Sequence, residues 1–366
     1  MRILHLASPN LGGIEAYIFN HYKYMDQDRF RFDFMTQNRS LRDAEEYRDF
    51  RFHVKLLPAT AAKDPEGFTR QVRKILSEGY DVLHLHTCYW TGFLIEKIAK
   101  EVGIKKVIVH SHSSFIDEND AGKRQILLER HEEVKRAFSP DLATDYWACS
   151  WNAADWLFGE QISRNKIKIM RNAIESKRFR FNPEARKRIR AELCLQNNLI
   201  LGTVGRLTFS KNHEFLINLF FEFQKVNPTA RLLIIGDGEL RQTLRRQIYE
   251  NGLENKVLLL GWKPNVEDYL SAVDIFLLPS RFEGNPISLI EATASGLPAV
   301  IANTVTEEAV LTETIQRIPV DIPMWNLAIT RLASIKSRRE DGIEVVRNAG
   351  YDVEQQAKVL EVMYGS

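Results

Sequence analysis

The stretch from Asp274 to Ala302 constrains the fold more than any other part of the chain. It contains an apolar run (DIFLLPS), a turn with Gly284 and Pro286, a helical segment (ISLIEATAS) and a second apolar run (LPAVIA). Short apolar runs on either side of a helix are typical of buried parallel strands, and Pro286 suits the first position of a helix. The pattern predicts a strand–helix–strand unit whose helix begins at the ligand-binding edge of a parallel sheet.

The start of this predicted helix combines groups that suit a ligand with both phosphate and hydroxyls. The unsatisfied N–H groups of a helix N-terminus favour an anion. Glu283 stands in the turn and Glu291 inside the helix. Ionised carboxylates only accept hydrogen bonds, and sugar hydroxyls donate them. The stretch therefore predicts a phosphate-binding helix end with a carboxylate on either side of the anion.

The rest of the chain repeats this alternation of apolar runs and helical patterns. Strands are expected at residues 2–7, 32–36, 53–57, 82–86, 106–110, 146–150, 167–170, 199–205, 231–235, 257–261, 274–280 and 299–302. Such alternation predicts an α/β fold with mainly parallel sheets. At 366 residues the chain should form two domains,. We expect two Rossmann-like domains facing each other across a cleft, residues 1–175 and 176–350, with a helix in 351–366.

Composition and charge exclude several classes of protein. Hydrophobic residues make up 44% and charged residues 27% of the chain, as in soluble globular proteins,. The net charge of +2 argues against a nucleic-acid binder that works by bulk charge,. Cys88, Cys149 and Cys194 are scattered, so neither a disulfide framework nor a cysteine zinc site is expected. Without a signal peptide or membrane span, we expect a cytoplasmic protein with at most a weak peripheral membrane contact.

The sequence EGNPISLIEATASGLP resembles the E-x7-E motif of retaining GT-B glycosyltransferases, specifically glycosyltransferase family 4. In that family the first glutamate, here Glu283, holds sugar hydroxyls of the donor. The second, here Glu291, holds the ribose hydroxyls of the nucleotide. The resemblance extends over nearly the whole chain and implies that the C-terminal helix crosses back to the first domain.

The segment LGTVGRLTFSKN resembles the family's G-R-L-x-x-x-K motif. It places Gly205, Arg206 and Lys211 after a predicted strand. Arginine can fork two phosphate oxygens and lysine supplies a point charge. Breaking a sugar–phosphate bond leaves a nucleoside diphosphate with added negative charge, which fixed cations and a helix end can stabilise without a metal. We therefore expect metal-independent chemistry and no cofactor.

Segments of the first half are similar to other parts of the family's site. SPNLGGIEAY matches a glycine loop through Gly12 and Gly13, whereas Glu15 is either part of that match or a solvated first-turn charge,. KVIVHSHSSF places His112 where the family approaches the donor sugar and β-phosphate. The resemblance implies catalytic roles for His112, Arg206, Lys211 and Glu283. It implies donor-binding roles for Gly12, Gly13, Gly205, Arg206, Lys211, Gly236, Trp262, Lys263, Glu283, Gly284, Asn285, Pro286, Ile287, Ser288 and Glu291.

Two histidine pairs leave an alternative open. His84 with His86, and His110 with His112, end predicted strands on the ligand edge, and four histidines could hold a metal in a hydrolase,. We prefer hydrogen-bonded structural histidines for the first three. A D-x-D sequence at residues 26–28 follows a helix and is interpreted as a polar turn rather than a metal motif.

The resemblance implies a glycosyltransferase that transfers a sugar from a nucleotide-diphosphate donor, with UDP expected as the nucleotide, and retains its configuration. The expected acceptor is a saccharide or lipid-linked saccharide in polysaccharide biosynthesis, such as capsule or exopolysaccharide assembly. A nucleotide-sugar 2-epimerase on the same fold and a non-catalytic sugar-nucleotide sensor are the further alternatives. No nucleic-acid partner is expected. Donor sugar, nucleobase and acceptor stay open.

Overall fold

The computed structural model describes residues 1–6, 13–37, 41, 49–57, 60–61, 63–335, 339 and 342–366. The chain divides into two compact units. The N-terminal unit comprises Met1–Ile116, Gln125–Ala173 and Val353–Ser366, and the C-terminal unit comprises Asp117–Arg124 and Ile174–Asp352. The domain bounds expected from the sequence, 1–175 and 176–350, stay predictions.

The N-terminal unit is built on a parallel sheet of seven described strands in the order β3-β2-β1-β4-β5-β6-β7. The strands are β1 Arg2–Leu6, β2 Arg31–Thr36, β3 His53–Leu56, β4 Val82–Thr87, β5 Lys106–Ser111, β6 Asp145–Ala148 and β7 Ile167–Ile169. The helices are α1 Gly13–Lys23, α2 Pro65–Leu76, α3 Leu94–Glu101, α4 Ala121–Arg136 (in this unit from residue 125), α5 Trp151–Leu157 and, at the chain end, α13 Val353–Gly365. Strand order reverses direction between β1 and β4, which makes their carboxyl ends the topological switch point.

The C-terminal unit has a parallel sheet of six described strands in the order β10-β9-β8-β11-β12-β13. The strands are β8 Ile200–Val204, β9 Arg231–Ile235, β10 Val257–Gly261, β11 Ile275–Leu278, β12 Ala299–Ala302 and β13 Ile315–Ile318. The helices are α6 Pro183–Glu192, α7 His213–Val226, α8 Arg241–Glu250, α9 Val266–Ala272, α10 Ile287–Ala294, α11 Ile322–Ser334 and α12 Gly342–Asn348. The strand–helix–strand unit predicted around residues 274–302 is therefore β11–α10–β12.

Burial explains why the central strands read as unbroken apolar runs. Every residue of β11 and β12 is buried, since both faces of the sheet are covered by helices,. Fully burying a large aliphatic or aromatic side chain stabilises a fold by about 1.5–3 kcal/mol. These two strands thus fix the position at which α10 begins.

Several elements were missed by the sequence prediction. The strand β13 and the helices α5, α6, α11 and α12 were not expected. Residues 172–186 contain Pro183 and span the predicted domain boundary, and we expected a loop-like stretch there. Instead Pro183 opens α6, and the Asn182 side chain caps it by accepting hydrogen bonds from the Glu184 and Ala185 N–H groups,. Within the described part of the chain, no helix is both long and apolar enough to cross a bilayer.

Candidate active site

The loop between β11 and α10 forms the start of the predicted site. Pro286 lies one position before the helix, with φ −77° and ψ 99°, so its prediction as the first helical residue was wrong by one position. The first helical N–H groups are therefore those of Ile287 and Ser288,. The Ser288 hydroxyl is buried and has no hydrogen-bond partner among the described residues. A buried hydroxyl beside a helix N-terminus suits a bound anion, because both can donate to its oxygens.

An ion pair joins this loop to the loop after β8. Lys211 Nζ lies 2.6 Å from Glu283 Oε1, and the two side chains are only 19% and 11% exposed. The Ser280 hydroxyl donates to the same carboxylate oxygen at 2.6 Å. Two motifs that are 72 residues apart in sequence thus meet at one edge of the sheet. Their roles toward a ligand stay predictions.

Two glycines allow the loop that carries Lys211 to form. Gly236 has a φ of +139°, and a Cβ there would lie 2.0 Å from the Gly205 carbonyl oxygen. A Cβ on Gly205 would in turn lie 3.3 Å from Cε of Lys211. The close approach of the two loop backbones accounts for Gly236, since only glycine fits such a contact, whereas a side chain at Gly205 would require the Lys211 stem to shift.

A short segment of the C-terminal unit braces the same loop, and it was missed by the sequence analysis. Asp117 accepts hydrogen bonds from the Ser210 N–H at 3.0 Å and the Ser210 hydroxyl at 2.9 Å. Asn119 Oδ1 accepts from the Phe209 N–H at 2.9 Å, and the Arg124 guanidinium lies 3.7 Å from the Phe209 ring centroid. These contacts hold the backbone immediately before Lys211.

Arg206 is placed differently from Lys211. Its side chain is 52% exposed and lies 3.7 Å from a Glu239 carboxylate oxygen. Exposed pairs of this length contribute at most about 1 kcal/mol. Arg206 can therefore turn toward a ligand at little cost.

Glu291 lies in an environment that favours the neutral form of its carboxyl group. Burial raises the pKa of Glu291 to about 7, with Glu267 adding to the rise and with Arg178 and Lys211 opposing it. Arg178 donates to Glu267 Oε2 at 2.9 Å and to the Pro264 carbonyl at 2.7 Å. Arg178 was not singled out in the sequence, because it is distant in sequence from both glutamates.

The remaining predicted donor residues of this unit lie on the surrounding loops. Asn285 is buried, and its side-chain amide donates to the Tyr351 hydroxyl at 2.9 Å. Trp262 is 68% exposed, and Lys263 Nζ lies 5.7 Å from the Tyr269 ring centroid. The exposed indole offers a flat apolar face on which a base could stack.

The predicted glycine loop of the N-terminal unit is only partly described. Gly12 lies outside the described residues, and Gly13 is the first residue of α1. Glu15 is 1% exposed, so its interpretation as a solvated first-turn charge is wrong.

The histidines of the N-terminal unit form a buried hydrogen-bonded cluster. His86 joins His5 at 2.9 Å and His112 at 2.8 Å, while His84 joins the Tyr364 hydroxyl at 2.7 Å and His110 at 3.2 Å. Burial lowers the pKa of His112 to about 3. It also lowers the pKa of His84, His86 and His110, with neighbouring histidines adding to the fall.

This geometry bears on the two metal alternatives. The nitrogens of His5, His84 and His86, and those of His86, His110 and His112, lie within 4.8 Å of one another. Tetrahedral zinc with bonds of about 2.0–2.1 Å would hold its nitrogens roughly 3.3 Å apart. The contacts at 2.8 and 2.9 Å are instead direct hydrogen bonds, as in the preferred structural interpretation,. Asp26 Oδ1 accepts from the Asp28 and Arg29 N–H groups, so residues 26–28 form the expected polar turn.

A cavity of about 320 Å³ lies at the switch point of the N-terminal sheet. It adjoins the ends of β1 and β4, and its walls include Phe68, Trp90 and Leu94. Glu96 also lines it, and burial raises the pKa of this carboxyl to about 7. The sequence analysis missed Glu96, because a single glutamate early in a helix gives no signal of its burial.

Comparison with known proteins places the chain in a family. The family model described as Glycosyltransferase Family 4 matches residues 11–178, and the model described as Glycosyl transferases group 1 matches residues 185–349. The chain is 29% identical to a Bacillus subtilis (strain 168) protein named as glycosyltransferase EpsF, over 99% of this chain and 96% of that protein. It is 24% identical, over 83% of this chain and 79% of the relative, to the Escherichia coli UDP-Gal:alpha-D-GlcNAc-diphosphoundecaprenol alpha-1,3-galactosyltransferase.

Solved structures agree with the fold. The structure of Anabaena Alr3699/HepE in complex with UDP and glucose superposes with a TM-score of 0.79 at 18% identity, covering all of both chains. That of WaaG, a glycosyltransferase involved in lipopolysaccharide biosynthesis, gives a TM-score of 0.74 at 15% identity over 100% of this chain and 99% of WaaG. The two parallel α/β sheets are thus those of the GT-B fold, and the chain belongs to glycosyltransferase family 4 as a nucleotide-sugar-dependent enzyme.

Proposed function

We propose that the protein transfers a sugar from a UDP-sugar to a saccharide or lipid-linked saccharide, with retention, in polysaccharide biosynthesis. The observation that carries the proposal is the contact between Lys211 and Glu283 beside the start of α10. It brings a cation, a carboxylate and helix N–H groups together, which are the groups that a sugar diphosphate requires. The names of the E. coli and Anabaena proteins support UDP as the nucleotide and a diphosphoundecaprenol-linked sugar as an acceptor.

Each group of the C-terminal unit has a proposed part in the reaction. Lys211 and Arg206 stabilise the charge that develops on the diphosphate as the sugar–phosphate bond breaks. Glu283 orients the sugar by accepting hydrogen bonds from its hydroxyls, and Glu291 accepts from the ribose. The N–H groups of Ile287 and Ser288 and the buried Ser288 hydroxyl donate to phosphate or sugar oxygens.

Retention follows from attack on the face that the leaving group vacates. The bond between the anomeric carbon and the phosphate oxygen breaks, and the acceptor oxygen bonds to that carbon from the same side. The acceptor proton passes to the departing phosphate oxygen, so no carboxylate nucleophile is required. The roles expected of Gly12, Gly13 and His112 toward the sugar and β-phosphate stay predictions.

The cavity at the switch point of the N-terminal unit suits an acceptor sugar. Ligands of open α/β sheets bind at such points, and the partly exposed ring of Tyr89 lines this cavity and offers an apolar face for a sugar ring,. With a pKa of about 7, the Glu96 carboxyl can either donate to or accept from an acceptor hydroxyl near neutral pH,.

A two-stage screen tests the proposed function. Nucleotide sugars with different bases and sugars are first compared by thermal shift, and those that stabilise the protein enter hydrolysis and transfer assays. We expect UDP-sugars to give the largest shifts, and one of them to transfer its sugar to an undecaprenyl-diphosphate-linked saccharide. Stabilisation by no nucleotide sugar would contradict the proposal.

A further inference from the structure

A second cavity lies at the amino ends of the strands of the C-terminal sheet, whereas the candidate active site lies at their carboxyl ends. Its volume is about 580 Å³. Its lining includes the residues immediately before β8, β11 and β12, which are Leu199, Asp274 and Pro298. The cavity therefore opens at the amino ends of the strands, where the proposed transfer reaction has no component.

Three arginines converge on this cavity, namely Arg186, Arg190 and Arg339. Part of their hydrogen bonding is structural. Arg186 Nη1 donates to three carbonyl oxygens, those of residues 271–273, at 3.1 Å, and Arg190 Nε donates to the Ala272 carbonyl at 2.9 Å. Arg339 Nη1 donates to the carbonyls of residues 270 and 271 at 3.1 and 3.0 Å. The arginines thus cap the C-terminus of α9, where positive charge is favourable.

The capping leaves positive charge uncompensated. Asp274 is the single carboxylate among the described lining residues, and its oxygens lie 2.6 Å from Arg186 Nη2 and 2.7 Å from Arg190 Nη2. Arg339 Nη2 is buried without a hydrogen-bond partner among the described residues. Three guanidinium groups therefore face one carboxylate and a helix end worth about half a negative charge.

The electrostatics of Arg339 show the same excess. Burial lowers its pKa to about 9, with Arg186 and Arg190 adding to the fall and Asp274 opposing it. Its guanidinium lies 4.6 Å from the Phe181 ring centroid, which keeps its plane packed. A bound anion would oppose this fall.

We propose that this cavity binds a phosphate-type dianion. Arginine forks recognise tetrahedral phosphate oxygens through paired N–H groups, and the three guanidinium groups at this cavity share a single carboxylate in the described part of its lining. The rim carries the side-chain amides of Gln196 and Asn197, which can donate to further oxygens. The phosphate could belong to a soluble compound or to a lipid headgroup, because both present the same oxygens.

The test uses pyrophosphate as the probe and measures its dissociation constant by titration calorimetry at constant ionic strength. All variants carry Lys211→Met, which weakens the proposed donor site, so a remaining signal does not depend on the proposed function. Arg339→Ala removes one of the three guanidinium groups, and Asn197→Asp places a negative charge on the exposed rim without disturbing the cap of α9. Arg245→Ala on the exposed face of α8 is the matched control for the loss of one arginine.

We expect Arg339→Ala to weaken binding by about tenfold or more, as for loss of one charge-assisted interaction. Asn197→Asp should weaken it by about two- to fivefold, as for a like charge added at an exposed position, while Arg245→Ala should have no effect. Sedimentation with phosphatidylcholine vesicles, with and without phosphatidic acid, separates the sources. Binding to pyrophosphate alone assigns a soluble ligand, and binding that requires phosphatidic acid assigns a lipid. The same pyrophosphate affinity in Asn197→Asp as in the control, or binding to neither probe, would overturn the proposal.

Discussion

Replacing Lys211 by methionine separates a catalytic role of this cation from a structural one. Methionine keeps most of the apolar stem that packs on Gly205 and removes only the charge. Loss of one preorganised group that stabilises developing charge typically lowers kcat by about 10²–10³-fold. We expect a loss of that size in steady-state transfer, because Lys211 would face the diphosphate as it departs.

The same substitution has a calculable effect on stability. Removing one partner of a fully buried pair costs about 3–5 kcal/mol. The cost here should be about 1–3 kcal/mol, since the pair retains some exposure and Ser280 still donates to Glu283,. For a unit of this size, such a loss lowers Tm by about 3–10 °C.

The double variant Lys211→Met/Glu283→Gln completes the test. Glutamine has nearly the shape of glutamate but no charge to leave unpaired, so thermal denaturation should recover most of the lost Tm. Transfer activity should stay low, since the cation is still missing. Recovery of activity together with Tm would refute a role in catalysis and leave a purely structural ion pair. Unchanged turnover in the single variant would refute it as well.

Three further predictions follow from the described geometry. Donor KM should rise by up to about tenfold per pH unit below pH 7, because a ribose-binding Glu291 with a pKa near 7 must be ionised to accept two hydrogen bonds,. Glu291→Gln should flatten this pH profile of KM, and an unchanged profile in the variant would contradict the ribose-binding role. Glu96→Gln should raise the KM for the acceptor sugar about three- to tenfold and leave the donor KM unchanged, as expected for one altered hydrogen bond. An effect on the donor KM instead would exclude a role of Glu96 in binding the acceptor sugar. Transfer should persist in excess EDTA, because Arg206, Lys211 and the start of α10 serve in place of a metal; complete loss, restored by zinc or manganese, would revive the metal alternatives.

The sequence predicted best those features that depend on neighbouring residues. The β11–α10–β12 unit was located to within a few residues, because its apolar runs and the turn with Gly284 and Pro286 are local signals. Lys211 and Glu283 lie close together because each follows a strand of the same parallel sheet, and the carboxyl ends of such strands lie on one side of the sheet.

Features that depend on distant residues were not predictable in this way. Asp117 braces Ser210 from 93 positions away, and no local pattern marks that contact. Arg178 near Glu291 and the burial of Glu96 are likewise set by tertiary packing. The helix α6 was missed for another reason, since Pro183 signals either a loop or a helix start, and only the cap by Asn182 distinguishes the two.

The most direct test of the central claim is the affinity for UDP, measured by titration calorimetry in the presence of EDTA. A donor site built on Lys211 and Glu291 predicts UDP binding that depends on the charge of Lys211. The affinity should fall by about tenfold or more in Lys211→Met and should be unchanged in the control Arg245→Ala. Equal affinity of wild type and Lys211→Met, or no binding of UDP to the wild type, would contradict the claim that this edge of the sheet holds the nucleotide donor.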